Sequence, residues 1–142
     1  MNSVFVVMRT FERPVLLARA LASVRAQTHP DVEVAVVNNG GDPSVVDSVV
    51  SVAGLERVRV LHLDQRLGME AASNAALADV AADCFAIHDD DDAWHPRFLE
   101  TTVAALSQRP DAVAAVTGVT RVHETMQGSR VWPVREEQMP LT

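Results

Sequence analysis

Cys84-Phe85-Ala86-Ile87-His88-Asp89-Asp90-Asp91-Asp92-Ala93-Trp94-His95-Pro96 opens as a short apolar run and breaks into four consecutive carboxylates. The apolar part predicts a buried strand, and Pro96 suits the first turn of a following helix. In an extended chain alternate side chains share a face, so Asp89 and Asp91 converge while Asp90 and Asp92 point elsewhere. Adjacent negative charges repel one another unless a divalent cation or a cationic partner neutralises them. A hard cation such as Mg²⁺ or Mn²⁺ prefers carboxylate and phosphate oxygens. The plain alternative is a solvated acidic turn ahead of a helix, and the rest of the chain decides between the two.

Towards the N-terminus, strands and helices alternate. Ser3 to Met8 predicts a buried strand, and Pro14 starts a helix running to Gln27 with Leu17, Leu21 and Val24 on one stripe. Val32 to Val37 is a second strand, followed by the turn-rich Asn38-Asn39-Gly40-Gly41-Asp42-Pro43 and a helix over Ser44 to Val52. Val58 to Leu63 is a third strand, and Met69 to Ala81 a helix rich in Ala and Ser. Towards the C-terminus, Pro96 to Ser107 predicts a helix and Ala112 to Thr117 a fifth strand, while Thr120 to His123 and Arg130 to Trp132 can pair across Met126 to Ser129. This alternation predicts an α/β protein with a mainly parallel, Rossmann-like sheet flanked by helices. Ligands bind beyond the carboxyl ends of such strands. The loops there are Arg9 to Arg13, Asn38 to Asp42, Asp64 to Gly68 and Asp89 to Trp94, and the unusual polar residues all fall on that edge.

Composition narrows the partners. The chain has 142 residues and a net charge of −7, and all 12 of its basic residues are Arg. An acidic chain with no basic run argues against nucleic acid or an anionic membrane as the main partner. An anionic substrate would therefore need a metal or well-placed Arg residues. The single Cys84 excludes an intrachain disulfide framework and reads as a buried thiol. No apolar run reaches the length of a transmembrane helix and none has signal-peptide flanks, so the expected compartment is the cytoplasm.

Five landmarks in order carry a resemblance over Ser3 to Gly118: Thr10-Phe11-Glu12-Arg13-Pro14, LLARALASVRAQT, VVNNGGDP, LGMEAASNAAL and HDDDDAWHPRFLE. Together they resemble the family-two glycosyltransferases, enzymes of the nucleotide-diphospho-sugar transferase fold called GT-A. The resemblance implies sugar transfer from a nucleotide-diphosphate donor, a UDP-sugar being favoured, to a carbohydrate or other acceptor hydroxyl, with Mn²⁺ or Mg²⁺ and with inversion. It implies that Asp89 and Asp91 are the aspartates of the family's D-x-D motif. Asp91 would bind the metal, and Asp89 or Asp90 would meet the ribose or the metal. Thr10, Phe11 and Arg13 would line the nucleotide pocket, with Asn38, Asn39 and Gly68 completing the donor-binding set. Phe11 could equally be a core aromatic, and an exposed Arg at a helix start is the ordinary alternative for Arg13.

Several departures from the family pattern stand out. Asn38-Asn39 replaces aspartates at the end of the second strand, although an amide still both donates and accepts. Ser73 stands where many members carry Arg, and Arg66 is a candidate substitute for the phosphate contact. His88 replaces an apolar residue and is expected to be a hydrogen-bonded histidine at a strand end. The family's general base and most of its acceptor site come from later sequence, so the base is expected beyond residue 142. The expected division is a nucleotide-sugar-binding core over 1–118 and the start of an acceptor-side segment over 119–142. Apolar surface left by missing segments would favour self-association. A non-catalytic nucleotide-sugar or metal-binding module is the alternative function. A signalling receiver is excluded because it needs a Lys, and a nucleotidyltransferase is disfavoured because Arg9 to Arg13 contains no Gly.

Overall fold

The computed structural model describes residues 2–141. Packing divides the chain into two compact units, one running to Thr101 and the other beginning at Thr102; the sequence-based expectation drew the line at Gly118.

In the first unit, β1 (Val4–Thr10), β2 (Val32–Asn38), β3 (Val58–His62) and β4 (Cys84–Asp89) form one parallel sheet in the order β3-β2-β1-β4. The intervening helices are α1 (Pro14–Arg25), α2 (Pro43–Ser51) and α3 (Met69–Leu77), and α4 (Phe98–Ser107) follows β4. Parallel strands need a crossover between them, and apolar strands separated by amphipathic helices supply it. Val4, Val6, Met8, Val34 and Val36 are buried on one face of the sheet. On the other face Phe5, Val7, Ala35 and Val37 pack with Ala72 and Ala76 of α3. The small residues of α3 let its backbone approach the two central strands. On α1 the buried positions are Leu17, Ala20, Leu21 and Val24, which include the whole predicted stripe.

Several elements differ from expectation. α3 ends at Leu77 and not Ala81. β4 is an edge strand and not a fully buried one: Phe85 is 62% and Ile87 39% exposed, because β1 is the only strand beside it among the described residues. Cys84 is accordingly only partly buried. The fifth strand expected over Ala112 to Thr117 does not form. Its Val113 is fully exposed and Val116 nearly so, and a short apolar run becomes a strand only where a partner takes its backbone hydrogen bonds.

The second unit contains β5 (Val119–Gln127) and β6 (Arg130–Met139), paired antiparallel from Val119–Met139 to Gln127–Arg130. The expected pairing across Met126 to Ser129 is present and longer than predicted. Gly128, at φ +60°, takes the first position of the two-residue turn, where a left-handed backbone suits glycine. Pro133 sits where the register slips beside Glu124, so its missing N–H costs no ladder bond. No helix among the described residues is long and apolar enough to cross a membrane.

Candidate functional site

The carboxyl ends of the four parallel strands carry the residues that the sequence singled out, and the strand register decides which of them meet. Arg9 lies opposite Asp89, and Thr10 opposite Asn38. β1 ends in a tight turn in which Glu12 adopts φ +52°, an uncommon left-handed conformation for a non-glycine residue. That turn delivers Arg13 to the start of α1, where its side chain makes no capping bond to its own helix. Its guanidinium instead pairs with Asp90 at 2.7 Å and donates to Asp91 at 3.1 Å. The Thr10 hydroxyl donates to the second oxygen of Asp90 at 2.8 Å.

Asp90 is wholly enclosed. Burial pushes its carboxyl above the usual carboxylate range, while the Thr10 hydrogen bond and the Arg13 charge pull it back. In this arrangement Asp90 holds the β1–α1 loop to the aspartate run.

After Asp89 the chain leaves the strand and turns. The Asp92 N–H donates to the Asp89 carbonyl at 3.1 Å, closing a four-residue turn. The turn corrects the expectation that Asp92 points away: one oxygen from each of Asp89, Asp91 and Asp92 lies within 4.8 Å of the others. Only Asp90 stands apart. Partial desolvation raises the Asp92 carboxyl, and the negative charges of Asp91 and Asp89 add to the rise, although its side chain reaches solvent. Three convergent carboxylate oxygens form a donor set of the kind hard divalent cations take. Arg19 supports the turn by donating to the Asp91 carbonyl at 2.7 Å. Arg9 pairs with the Asp89 carboxylate.

His88 is fully buried beneath this turn. Its Nδ1 faces the Asp89 carbonyl at 2.7 Å, which can only accept, so Nδ1 carries a proton, and Nε2 lies 3.0 Å from Ser23 Oγ. Burial lowers its pKa, and Trp94 packs against the ring at 4.3 Å between centroids. The expected hydrogen-bonded histidine is what occupies this position.

The two asparagines after β2 both serve loops. Asn38 is fully buried; its amide donates to the Gly41 carbonyl at 2.8 Å and its oxygen accepts from the Gly41 N–H at 2.9 Å. Asn39 does the same across space, donating to the Leu67 carbonyl at 2.9 Å and accepting from the Leu67 N–H at 2.8 Å. Both amides thus brace the loops at the carboxyl ends of β2 and β3, and the Asn38 amide nitrogen also lies 3.0 Å from His62 Nδ1. An aspartate at position 39 has no amide donor for the Leu67 carbonyl. Asn39→Asp is therefore expected to cost about 2 kcal/mol of stability, measured by urea unfolding at pH 7. The loss should shrink at low pH, where the introduced carboxyl is protonated and can donate.

The Leu67 clamp fixes the β3–α3 loop, and with it Arg66, whose guanidinium lies over the Phe11 ring at 4.2 Å. Phe11 is half-buried under this cation and is not among the buried core residues. Ser73 is buried and spends its hydroxyl on the Met69 carbonyl one turn back. Gly68 caps the start of α3 and is exposed. Between the N-terminal ends of α1 and α2 lies a cleft of about 240 Å³, lined by Thr10, Glu12, Arg13, Leu17, Gly41 and Val45 among others. Thr10 and Arg13 thus bridge the cleft and the aspartate turn.

The Glycosyl transferase family 2 profile matches residues 5–140. The chain belongs to glycosyl transferase family 2. An uncharacterised glycosyltransferase of Bacillus subtilis, YwdF, is 33% identical over 98 residues, covering 67% of this chain and 35% of that protein. The succinoglycan biosynthesis protein ExoW of Rhizobium meliloti is 37% identical over 91 residues, covering 62% and 28%. Among solved structures, the mannosyltransferase PcManGT of Pyrobaculum calidifontis, in complex with GDP-Man and Mn²⁺, superposes with a TM-score of 0.69 at 24% identity over 75% of this chain and 32% of that one. TarS 1–349 of S. aureus in complex with UDP gives a TM-score of 0.69 at 20% identity, over 76% and 33%. These likenesses show the GT-A fold. The chain spans about a third of the length of the relatives it matches.

Two residues at this candidate site carry no role in the sequence analysis. Asp92 was set aside because strand alternation was carried past the end of the strand. Arg9 was unassigned, although its place in the β1 run, level with Asp89 in β4, was a usable signal once the two strands were taken as neighbours.

Proposed function

We propose that the chain binds the nucleotide-diphosphate donor for a metal-dependent, inverting glycosyltransferase, a UDP-sugar being favoured. The observation that carries this is the turn at the end of β4, where Asp89, Asp91 and Asp92 converge beside the Thr10–Arg13 loop and the adjoining cleft. Asp89, Asp91 and Asp92 would hold Mn²⁺ or Mg²⁺. When bound, such an ion stabilises the negative charge of the departing diphosphate. Arg13, anchored on buried Asp90, fixes the edge of the donor pocket. Phe11 offers a ring face and Arg66 a cation to the nucleoside diphosphate, in place of the Arg that many family members carry at the Ser73 position. The complexes of PcManGT with GDP-Man and Mn²⁺ and of TarS with UDP and with UDP-GlcNAc support a nucleotide sugar as the ligand class.

Calorimetric titration of UDP with Mn²⁺, and again with excess EDTA, tests the proposal. Binding that requires Mn²⁺ is expected, and no binding under either condition would defeat it. Arg66→Ala at saturating Mn²⁺ is expected to weaken UDP binding by roughly fivefold, the scale of one exposed cationic contact. Unchanged affinity would remove Arg66 from the site.

A further inference from the structure

We infer that Arg9 is a resident counter-ion that a divalent cation displaces from Asp89, and that the freed guanidinium then binds the donor's diphosphate. It rests on Asp89, Asp91 and Asp92 being the ligands of that cation. The strand register places Arg9 beside Asp89, and the two side chains form an ion pair. Arg9 is 15% exposed and Asp89 43%, so the guanidinium approaches from the protein side while the carboxylate still opens to solvent. A divalent cation and a guanidinium cannot both sit against one carboxylate without repelling each other, so cation entry loosens the pair.

Two further observations give Arg9 somewhere to go. Its Nε is buried with no hydrogen-bond partner in the structure, so Asp89 does not satisfy the whole guanidinium. The other arginines of this edge have other work: Arg13 also holds enclosed Asp90, Arg19 holds the Asp91 carbonyl, and Arg66 lies on Phe11. Arg9 is held by a carboxylate that the cation itself would claim. In a chain of net charge −7 without Lys, a guanidinium released beside a metal-bound diphosphate is a scarce cation. Its planar fork of donors matches phosphate oxygens. Cation and nucleotide binding are thereby coupled: the first frees the residue that the second uses.

The test separates the two affinities. Free Mn²⁺, followed by electron paramagnetic resonance without nucleotide, is expected to show Arg9→Gln binding Mn²⁺ roughly fivefold more tightly than wild type, because a competing cation is gone. The same variant at saturating Mn²⁺ is expected to bind UDP roughly tenfold more weakly. Arg9→Lys, which keeps the charge, should leave Mn²⁺ affinity near wild type. A residue that merely shaped the loop would weaken both ligands or neither, and either result overturns the inference. In the unmodified chain the Arg9 Nε–H resonance should move on adding Mg²⁺ and again on adding UDP. A resonance that ignores both overturns it even where the variant fails to fold. Wild-type chain that binds no Mn²⁺ would instead defeat the donor-site proposal, and this inference with it.

Discussion

Asp91→Asn is expected to weaken Mn²⁺-dependent UDP binding by about a hundredfold or more while leaving the fold intact. Asp91 is half exposed and sits at the outer corner of the turn, 3.1 Å from Arg13. It lies among three carboxylates whose oxygens converge within 4.8 Å. The amide keeps one oxygen for the cation but removes a full negative charge from a site whose affinity comes from charge. Its effect on stability has the opposite sign. The mutual repulsion that helps raise the Asp92 carboxyl includes Asp91, so removing that charge relieves the turn. The exposed contact with Arg13 is a small loss, and the net change should fall within about 0.5 kcal/mol. Calorimetry with and without Mn²⁺, paired with urea unfolding, reads the two quantities separately. Unaltered nucleotide affinity would mean that Asp89 and Asp92 suffice or that the turn binds no cation. A large loss of stability would mean that the aspartate run is chiefly a structural knot.

The layer order, the parallel sheet and the edge that carries the site were legible in the sequence because they follow from periodicity. The alternation of apolar strands with Pro-initiated helices fixes the crossovers, and the crossovers place Thr10, Asn38, Gly68 and Asp89 on one edge. The failures share one physical cause: periodicity describes a regular element and says nothing beyond its end. Asp92 was misplaced because the strand stops at Asp89 and a turn follows. Ala112 to Thr117 has strand composition, yet composition cannot supply the neighbour that a strand needs. The Asn38-Asn39 pair was recognised as a departure from the family pattern. Its reason, two reciprocal backbone clamps, depends on the turn after β2 and on the β2 and β3 loops meeting in space. Arg9 was hidden for a related reason, since its partner lies 80 positions away and only the β1–β4 register joins them.

Gly40→Ala is expected to destabilise the chain by about 3 kcal/mol or more, and its cause lies in the same loops. Gly40 adopts φ +88°, which disfavours any residue with a Cβ. A Cβ there would also lie 2.6 Å from the Arg66 nitrogen and 2.9 Å from the Gln65 carbonyl carbon. Both are backbone atoms, so no side-chain rotation relieves the clash and the β3–α3 loop must move as a whole. Movement strains the Asn39–Leu67 clamp next door and carries Arg66 off Phe11. The expected signature is therefore a lower urea midpoint together with weakened UDP binding, while Mn²⁺ affinity without nucleotide stays near wild type because the Asp89–Asp92 turn belongs to a different loop. Gly68→Ala is the matched control. Its φ is −59° and the nearest atom to a new Cβ is a flexible Glu70 carboxylate oxygen at 3.7 Å, so only the weak helix-start preference is lost, about 0.5 kcal/mol. Equal effects from the two substitutions would show that the β2–α2 and β3–α3 loops are not locked together. A Gly40→Ala chain that lost Mn²⁺ binding as well would mean that the lock extends to the aspartate turn.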